Sequence, residues 1–173
     1  MKKEKNAVVI QTKENHVFSK KEYALVLADL KKSISESQTK AILSVNKELI
    51  CLYWKIGKVI VDKQEVSGWG TNVIEQLSKD LQKSFPGIEG FSRSNIFRMR
   101  AFYHSYRKVA QAVRQIENLP IFNIPWGHNI LLLERAKNIE ERFWYAQQAI
   151  DKGLSRSALE DLIEKKIYSR KGK

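Results

Sequence analysis

Gly90-Phe91-Ser92-Arg93-Ser94-Asn95-Ile96-Phe97-Arg98-Met99-Arg100 sets a turn ahead of an arginine-bearing helix, and this pairing fixes the class of the chain. A glycine that permits a sharp reversal precedes a hydrophobe and then Ser92. The Ser92 hydroxyl suits a helix N-cap, because it can accept from a backbone N–H that the first turn leaves without a partner. At about 100° per residue, Ile96, Met99, Phe102, Tyr103 and Tyr106 share one face of the helix that follows. Arg93, Phe97, Arg100, Ala101 and His104 share the other, with Arg98 on a flank. Just upstream, Thr71 to Ser84 lines up Val73, Ile74, Leu77 and Leu81, with Phe85 closing the stripe and Pro86-Gly87 ending it. A helix, a tight connection and a second helix bearing arginines is the outline of a helix-turn-helix, whose second helix can enter a DNA groove.

Toward the N-terminus, residues 1–20 are polar and basic apart from Val8-Val9-Ile10, too little apolar surface to offset the entropy of ordering. They read as a flexible basic arm. From Lys21 to about Val66 there is no proline and one glycine, Gly57. Tyr23, Leu27, Leu30, Ile34 and Ala41 recur at helical steps, and Ile42, Val45, Leu49, Leu52, Ile56 and Val59 then alternate steps of three and four. This predicts one long helix, or two with a break near Ser33-Ile34-Ser35-Glu36-Ser37. Ile50, Tyr53, Trp54 and Ile60 lie off the main stripe, so the second half should be covered on more than one side. A sustained three-four repeat packs either into the chain's own bundle or against a second copy. Ser67-Gly68-Trp69-Gly70 ends the segment, with Trp69 expected to plug the corner.

Toward the C-terminus, weak helical character should continue from Lys108 to Asn118. Asn118 to Pro125 then holds two of the 3 prolines around Leu119, Ile121, Phe122 and Ile124, which predicts an extended, partly buried crossing and a subdivision point at 118–125. Pro125 suits a first helical position, opening a helix through Arg135. Asn138 and Glu141 form a capping box for the next helix, Gly153 stops it, and Ser155 caps a last helix to about Tyr168. Residues 169–173 read as a basic tail. Gly153-Leu154-Ser155-Arg156-Ser157 echoes Gly90-Phe91-Ser92-Arg93-Ser94, but Glu160, Asp161 and Glu164 make the helix behind it acidic. Shared turn chemistry accounts for the echo.

The 173 residues carry 31 Lys+Arg against 19 Asp+Glu, a formal net charge of +12 and a pI near 9.8. That balance suits a polyanionic partner, since each phosphate neutralised releases counterions. Cys51 is the only cysteine, which leaves no disulfide framework and fits a reducing, cytoplasmic setting. No apolar run approaches the length of a membrane span or of a signal peptide's core. His16, His104 and His128 have no metal-binding spacing, and no Gly-rich phosphate loop occurs. Glu164-Lys165-Lys166 matches the end of a restriction-type nuclease motif, but it lies on a helix without the preceding strand and Asp. No catalytic centre, metal site or cofactor is expected.

Several linked motifs then carry a family resemblance. Val45 to Gly57, Gly68-Trp69-Gly70, Leu77-Ser78-Lys79-Asp80-Leu81 with Phe85-Pro86-Gly87, Gly90-Phe91-Ser92 through Tyr103, and Trp126-Gly127-His128-Asn129 occur in an order similar to the N-terminal domain of YhcG-type proteins. The likeness covers nearly everything after the first twenty residues. It implies a helical, DNA-handling domain that stands ahead of a PD-(D/E)XK nuclease domain, here without that catalytic half.

The combined expectation is an all-α bundle with one long N-terminal helix, or helix pair, and helix-turn-helix-like units over 21–168. Its function would be non-catalytic binding of duplex DNA, positioning an associated nuclease domain. Arg93, Ser94, Phe97, Arg98, Arg100, His104, Arg107 and Lys108 are the candidate contacts, with Trp126, His128 and Asn129 as additional ones. Arginine's planar fork suits phosphate or a guanine edge, and Phe97 either touches a thymine methyl or packs on a later helix. The alternative is a helical dimerisation module that uses the long helix and touches no nucleic acid.

Overall fold

The computed structural model describes residues 20–171. The expected basic arm, apart from Lys20, and the last two residues of the expected tail lie outside the described residues. The chain divides after Lys40 into two compact units. Among the described residues there are six α-helices and no strand: α1 (Lys20–Ser67), α2 (Thr71–Ser84), α3 (Arg93–Ala112), α4 (Trp126–Arg135), α5 (Ile139–Lys152) and α6 (Arg156–Glu164). The all-α expectation therefore holds.

The first unit contributes residues 20–40 of α1. No break occurs at Ser33–Ser37, where the Thr39 hydroxyl bonds back to the Ser35 carbonyl at 2.9 Å within an unbroken helix. Tyr23, Leu25, Val26, Leu27, Leu30 and Ile34 are all exposed.

The second unit, from Ala41 onward, holds the core. Its larger cluster joins Ile50, Cys51, Trp54 and Val61 of α1 to Phe102, Tyr103 and Tyr106 of α3, and to buried residues of α4, α5 and α6. A smaller cluster joins Tyr53 and Ile60 to Ile74 of α2 and to Phe91, Ile96 and Met99. The side chains of α1 that bury are thus those lying off its regular stripe. Ile42, Val45, Leu49, Leu52 and Val59, on the stripe, stay exposed. Gly57 is where α1 crosses α3: a Cβ there would collide with the Met99 carbonyl.

Helix ends follow side-chain chemistry closely. Ser92, Asn138 and Ser155 accept from the N–H groups of Asn95, Glu141 and Ala158, each at the N-terminus of its helix. The Glu141 carboxylate reaches back to the Lys137 N–H at 2.8 Å, one residue before the cap. Gly153 ends α5 in the left-handed region, φ 59°. Several connections differ from expectation. Helix α3 stops at Ala112, and a 3-10 turn at Ile116–Asn118 replaces the weak helix. The 118–125 crossing is coiled into a second 3-10 turn at Pro120–Phe122, because Pro120 sets the first φ and the amides of Phe122 and Asn123 bond three residues back. Ile121, Phe122 and Ile124 bury in the larger cluster, so this segment lies inside the second unit's core. Pro125 is the N-cap of α4 instead of its first residue, its carbonyl accepting from His128 and Asn129. Helix α6 stops at Glu164, short of Tyr168, and a 3-10 turn at Tyr168–Arg170 takes up the start of the expected tail.

Candidate nucleic-acid interface

The turn that launches α3 is held from both sides. Ser78 Oγ and Gln82 Nε2 of α2 donate to the Phe91 carbonyl at 2.7 and 2.9 Å. Asn95 Nδ2 donates to the Gly90 carbonyl at 2.6 Å, while Asn95 Oδ1 accepts from the Trp126 indole at 2.7 Å. Gly90, at φ 111°, lies in a region that a side chain rarely enters, and a Cβ there would strike the Tyr53 hydroxyl. With the turn fixed and Ile96, Met99, Phe102, Tyr103 and Tyr106 inward, the opposite face of α3 is presented outward as its spacing predicts.

On that face Arg93, Ser94, Arg98, His104 and Lys108 are exposed, and Phe97, Arg100 and Arg107 are half-buried. The Phe97 ring packs at the edge of the smaller cluster, with the Arg93 and Arg100 guanidinium carbons 5.0 and 4.9 Å from its centroid. Each such contact is worth about 0.5–1 kcal/mol at an exposed site, which biases two flexible side chains toward the ring without neutralising them. Carboxylates compete for part of the charge: Arg98 lies 3.4 Å from Glu134 and Arg93 3.9 Å from Glu75. Arg107 is hydrogen-bonded to Glu65, and that bond, with the Glu65 charge, holds its guanidinium above its ordinary pKa. Solvent screens exposed pairs of this kind, so they hold an arginine only weakly against a phosphate offered in the same place. Arg100 and Lys108 form no ion pair among the described residues. Arg100 and His104 also face an open pocket of about 460 Å³, whose far wall is Val61, Gln64 and Glu65 of α1.

Trp126, His128 and Asn129 are not part of this face, which corrects their place among the additional candidates. Trp126 packs edge-on against Tyr53 and Phe102, with centroids 4.9 and 5.4 Å apart, and its indole donor is taken by Asn95. His128 is buried, with Nε2 2.9 Å from the Leu154 carbonyl. Asn129 is fully buried and donates to the Ile121 carbonyl at 2.8 Å. The three residues position other elements, because their donors serve contacts inside the fold. Asn95 is absent from the sequence-derived candidates, although its spacing to Met99, Phe102 and Tyr106 puts a polar side chain on the inward face.

The echoed turn before α6 is held in a comparable way, with His128 on the Leu154 carbonyl where Ser78 and Gln82 hold that of Phe91. Among the described residues no group of three or more His, Cys, Asp or Glu side chains could hold a metal ion, and no helix is long and apolar enough to cross a membrane.

Comparison with curated proteins and with solved structures returned no match. The family comparison agrees with the linked motifs from Val45 to Asn129: residues 29–170 match the DUF1016 N-terminal domain, and the chain belongs to that family, the N-terminal domain of YhcG-type proteins.

Proposed function

We propose that this domain binds duplex DNA through the outward face of α3 and has no catalytic role of its own, delivering an associated nuclease domain to its substrate. One observation carries the reading: Arg93 and Arg100, one turn before and one turn after Phe97 along the helix, bring their guanidinium carbons to 5.0 and 4.9 Å from its centroid, on a capped helix whose opposite side is locked into the core. Arginines ordered in this way lose less conformational entropy on meeting phosphate or a base edge than free side chains do. Arg98 extends the same surface, and Arg107 and Lys108 add positive potential further along the helix. The net charge of +12 supplies the long-range attraction.

The test is a salt titration of binding to a fluorescent duplex and to the matching single strand. Affinity for the duplex should fall steeply with salt, by about 10³-fold or more between ~50 and ~200 mM if six or more phosphates are contacted. Arg93→Glu, Arg98→Glu and Arg100→Glu should each weaken duplex binding and lower the salt slope, by about one for each phosphate that is no longer neutralised. Unchanged affinity in the triple variant, with helical circular dichroism retained, rejects the proposal.

A further inference from the structure

The exposed apolar surface of the second unit is concentrated in one place. Beyond Ile88, Ile150 is the single exposed large hydrophobe among the described residues, whereas α1 alone exposes Ile42, Leu43, Val45, Leu49, Leu52, Val59 and Val66 after Lys40. Apolar surface gathered in this way marks an interaction site. Leu52, Ile56 and Val59 also form one wall of an open groove of about 470 Å³, with Leu77, Leu81, Phe85 and Ile88 opposite. The same helix therefore carries, side by side, half of an apolar groove and a row of apolar knobs from Ile42 to Leu52 that the described residues leave about 37–71% exposed. We propose that this surface is the interface of a homodimer in which α1 of one copy lies antiparallel on α1 of a second.

The heptad positions select the orientation. With Ile42, Leu49 and Ile56 as a and Val45, Leu52 and Val59 as d, the e positions Tyr53 and Ile60 are buried in the copy's own core. A parallel pair sets g residues against e residues of the neighbour, so Glu48 and Lys55 would meet the apolar Tyr53 and Ile60 positions and find no charge partner. An antiparallel pair sets e against e and g against g, and Glu48 and Lys55 are successive g residues of opposite charge, both exposed and in no ion pair among the described residues. In that register Leu49 meets Leu52 of the second copy, Val45 meets its Ile56 and Ile42 meets its Val59. Glu48 then faces Lys55 twice by symmetry. Ile42 and Val45 thereby lie over the groove that α2 of the second copy completes.

The area suffices for a stable pair. Each such side chain carries ~60–120 Å² of apolar surface that full burial removes from water. About ten of them, half exposed at the start, remove roughly 300–600 Å² of apolar surface per copy. With apolar groups making up about 60–65% of an interface, the pair buries roughly 1,000–1,900 Å² in total, from the floor of a biological interface into the ~1,200–2,000 Å² range of stable complexes.

Sedimentation equilibrium of the 173-residue chain across ~1–100 μM tests the proposal. A dimer is expected. Leu52→Glu should weaken it at least about 100-fold while helical circular dichroism is retained, since two charges would enter the apolar seam. Val45→Glu, at a position 71% exposed in the single copy, repeats the test should Leu52→Glu disturb folding. Orientation is read by oxidation: an equal mixture of Ile42→Cys and Val59→Cys chains should form a mixed disulfide dimer, and neither chain alone should cross-link. A monomer at every concentration, a dimer indifferent to both Glu variants, or cross-linking of Ile42→Cys with itself would overturn the proposal.

Discussion

Among single residues, Gly57 shows how tertiary packing reverses a local preference. Inside a helix, alanine is ordinarily better than glycine by about 1 kcal/mol. Here an alanine Cβ would run into the Met99 carbonyl and crowd the Tyr103 Cβ at 3.0 Å, so α1 and α3 would have to separate. Gly57→Ala is therefore expected to destabilise the fold by about 2–4 kcal/mol, measured by urea denaturation, instead of stabilising it. A more stable variant would mean that the two helices do not cross here. Asn95 is a related case: a polar residue at an inward helical position serves Gly90 on one side and Trp126 on the other, a role that periodicity can flag but not assign.

Between whole elements, the ends of α5 and α6 use one geometry with different residues. Gly153 ends α5 with φ 59°, its N–H toward the Ile150 carbonyl and the next N–H toward Ala149. Lys166 does the same for α6 with φ 51°, bonding to Ile163 while Ile167 bonds to Leu162. This is the C-terminal motif in which glycine is favoured because a side chain there is strained. Lys166→Gly should raise stability by roughly 0.5–1 kcal/mol, seen as a higher urea midpoint with an unchanged slope. An equal loss would show that the lysine side chain has a role that its backbone geometry does not reveal. The helix caps were legible because a serine or asparagine before an amphipathic run has one evident use. The end of α6 was not, since no glycine or proline marks Lys166.

Across the molecule as a whole, the buried ionisable groups govern behaviour at high pH. Burial raises the pKa of Cys51, Tyr53 and Tyr145, and pushes Tyr106 from 10.0 up to about 12. The Tyr106 hydroxyl is buried without a hydrogen-bond partner of normal geometry, and the nearby Arg142 guanidinium only partly offsets its desolvation. A raised acid pKa means that the unfolded chain releases its proton first, so stability is complete below pH 10 and is lost as pH rises through 12. The rise from 10.0 to about 12 corresponds to about 3 kcal/mol for this group. Tyr106→Phe should leave neutral-pH stability equal or slightly higher, and flatten the loss between pH 10 and 12 in chemical denaturation. An unchanged alkaline limb would remove Tyr106 as its source.

Residue spacing and turn chemistry alone were enough for the all-α class, the bounds of α2, the serine and asparagine caps, and the inward and outward faces of α3. These are local properties, set along one helix and by the chemistry of a few turn residues. The family too was legible, through linked motifs whose order survives without knowledge of their contacts. Which side of α1 is covered was not, because Ile50, Trp54 and Ile60 are as apolar as Val45, Leu49 and Leu52. The choice between them depends on where α2 and α3 pack. For the same reason it was tertiary packing that withdrew Trp126, His128 and Asn129 from the candidate face and set the Phe97 ring against the smaller cluster. A side chain's partners across 26 or 31 positions of chain are not encoded in its neighbours; they follow from how the helices meet.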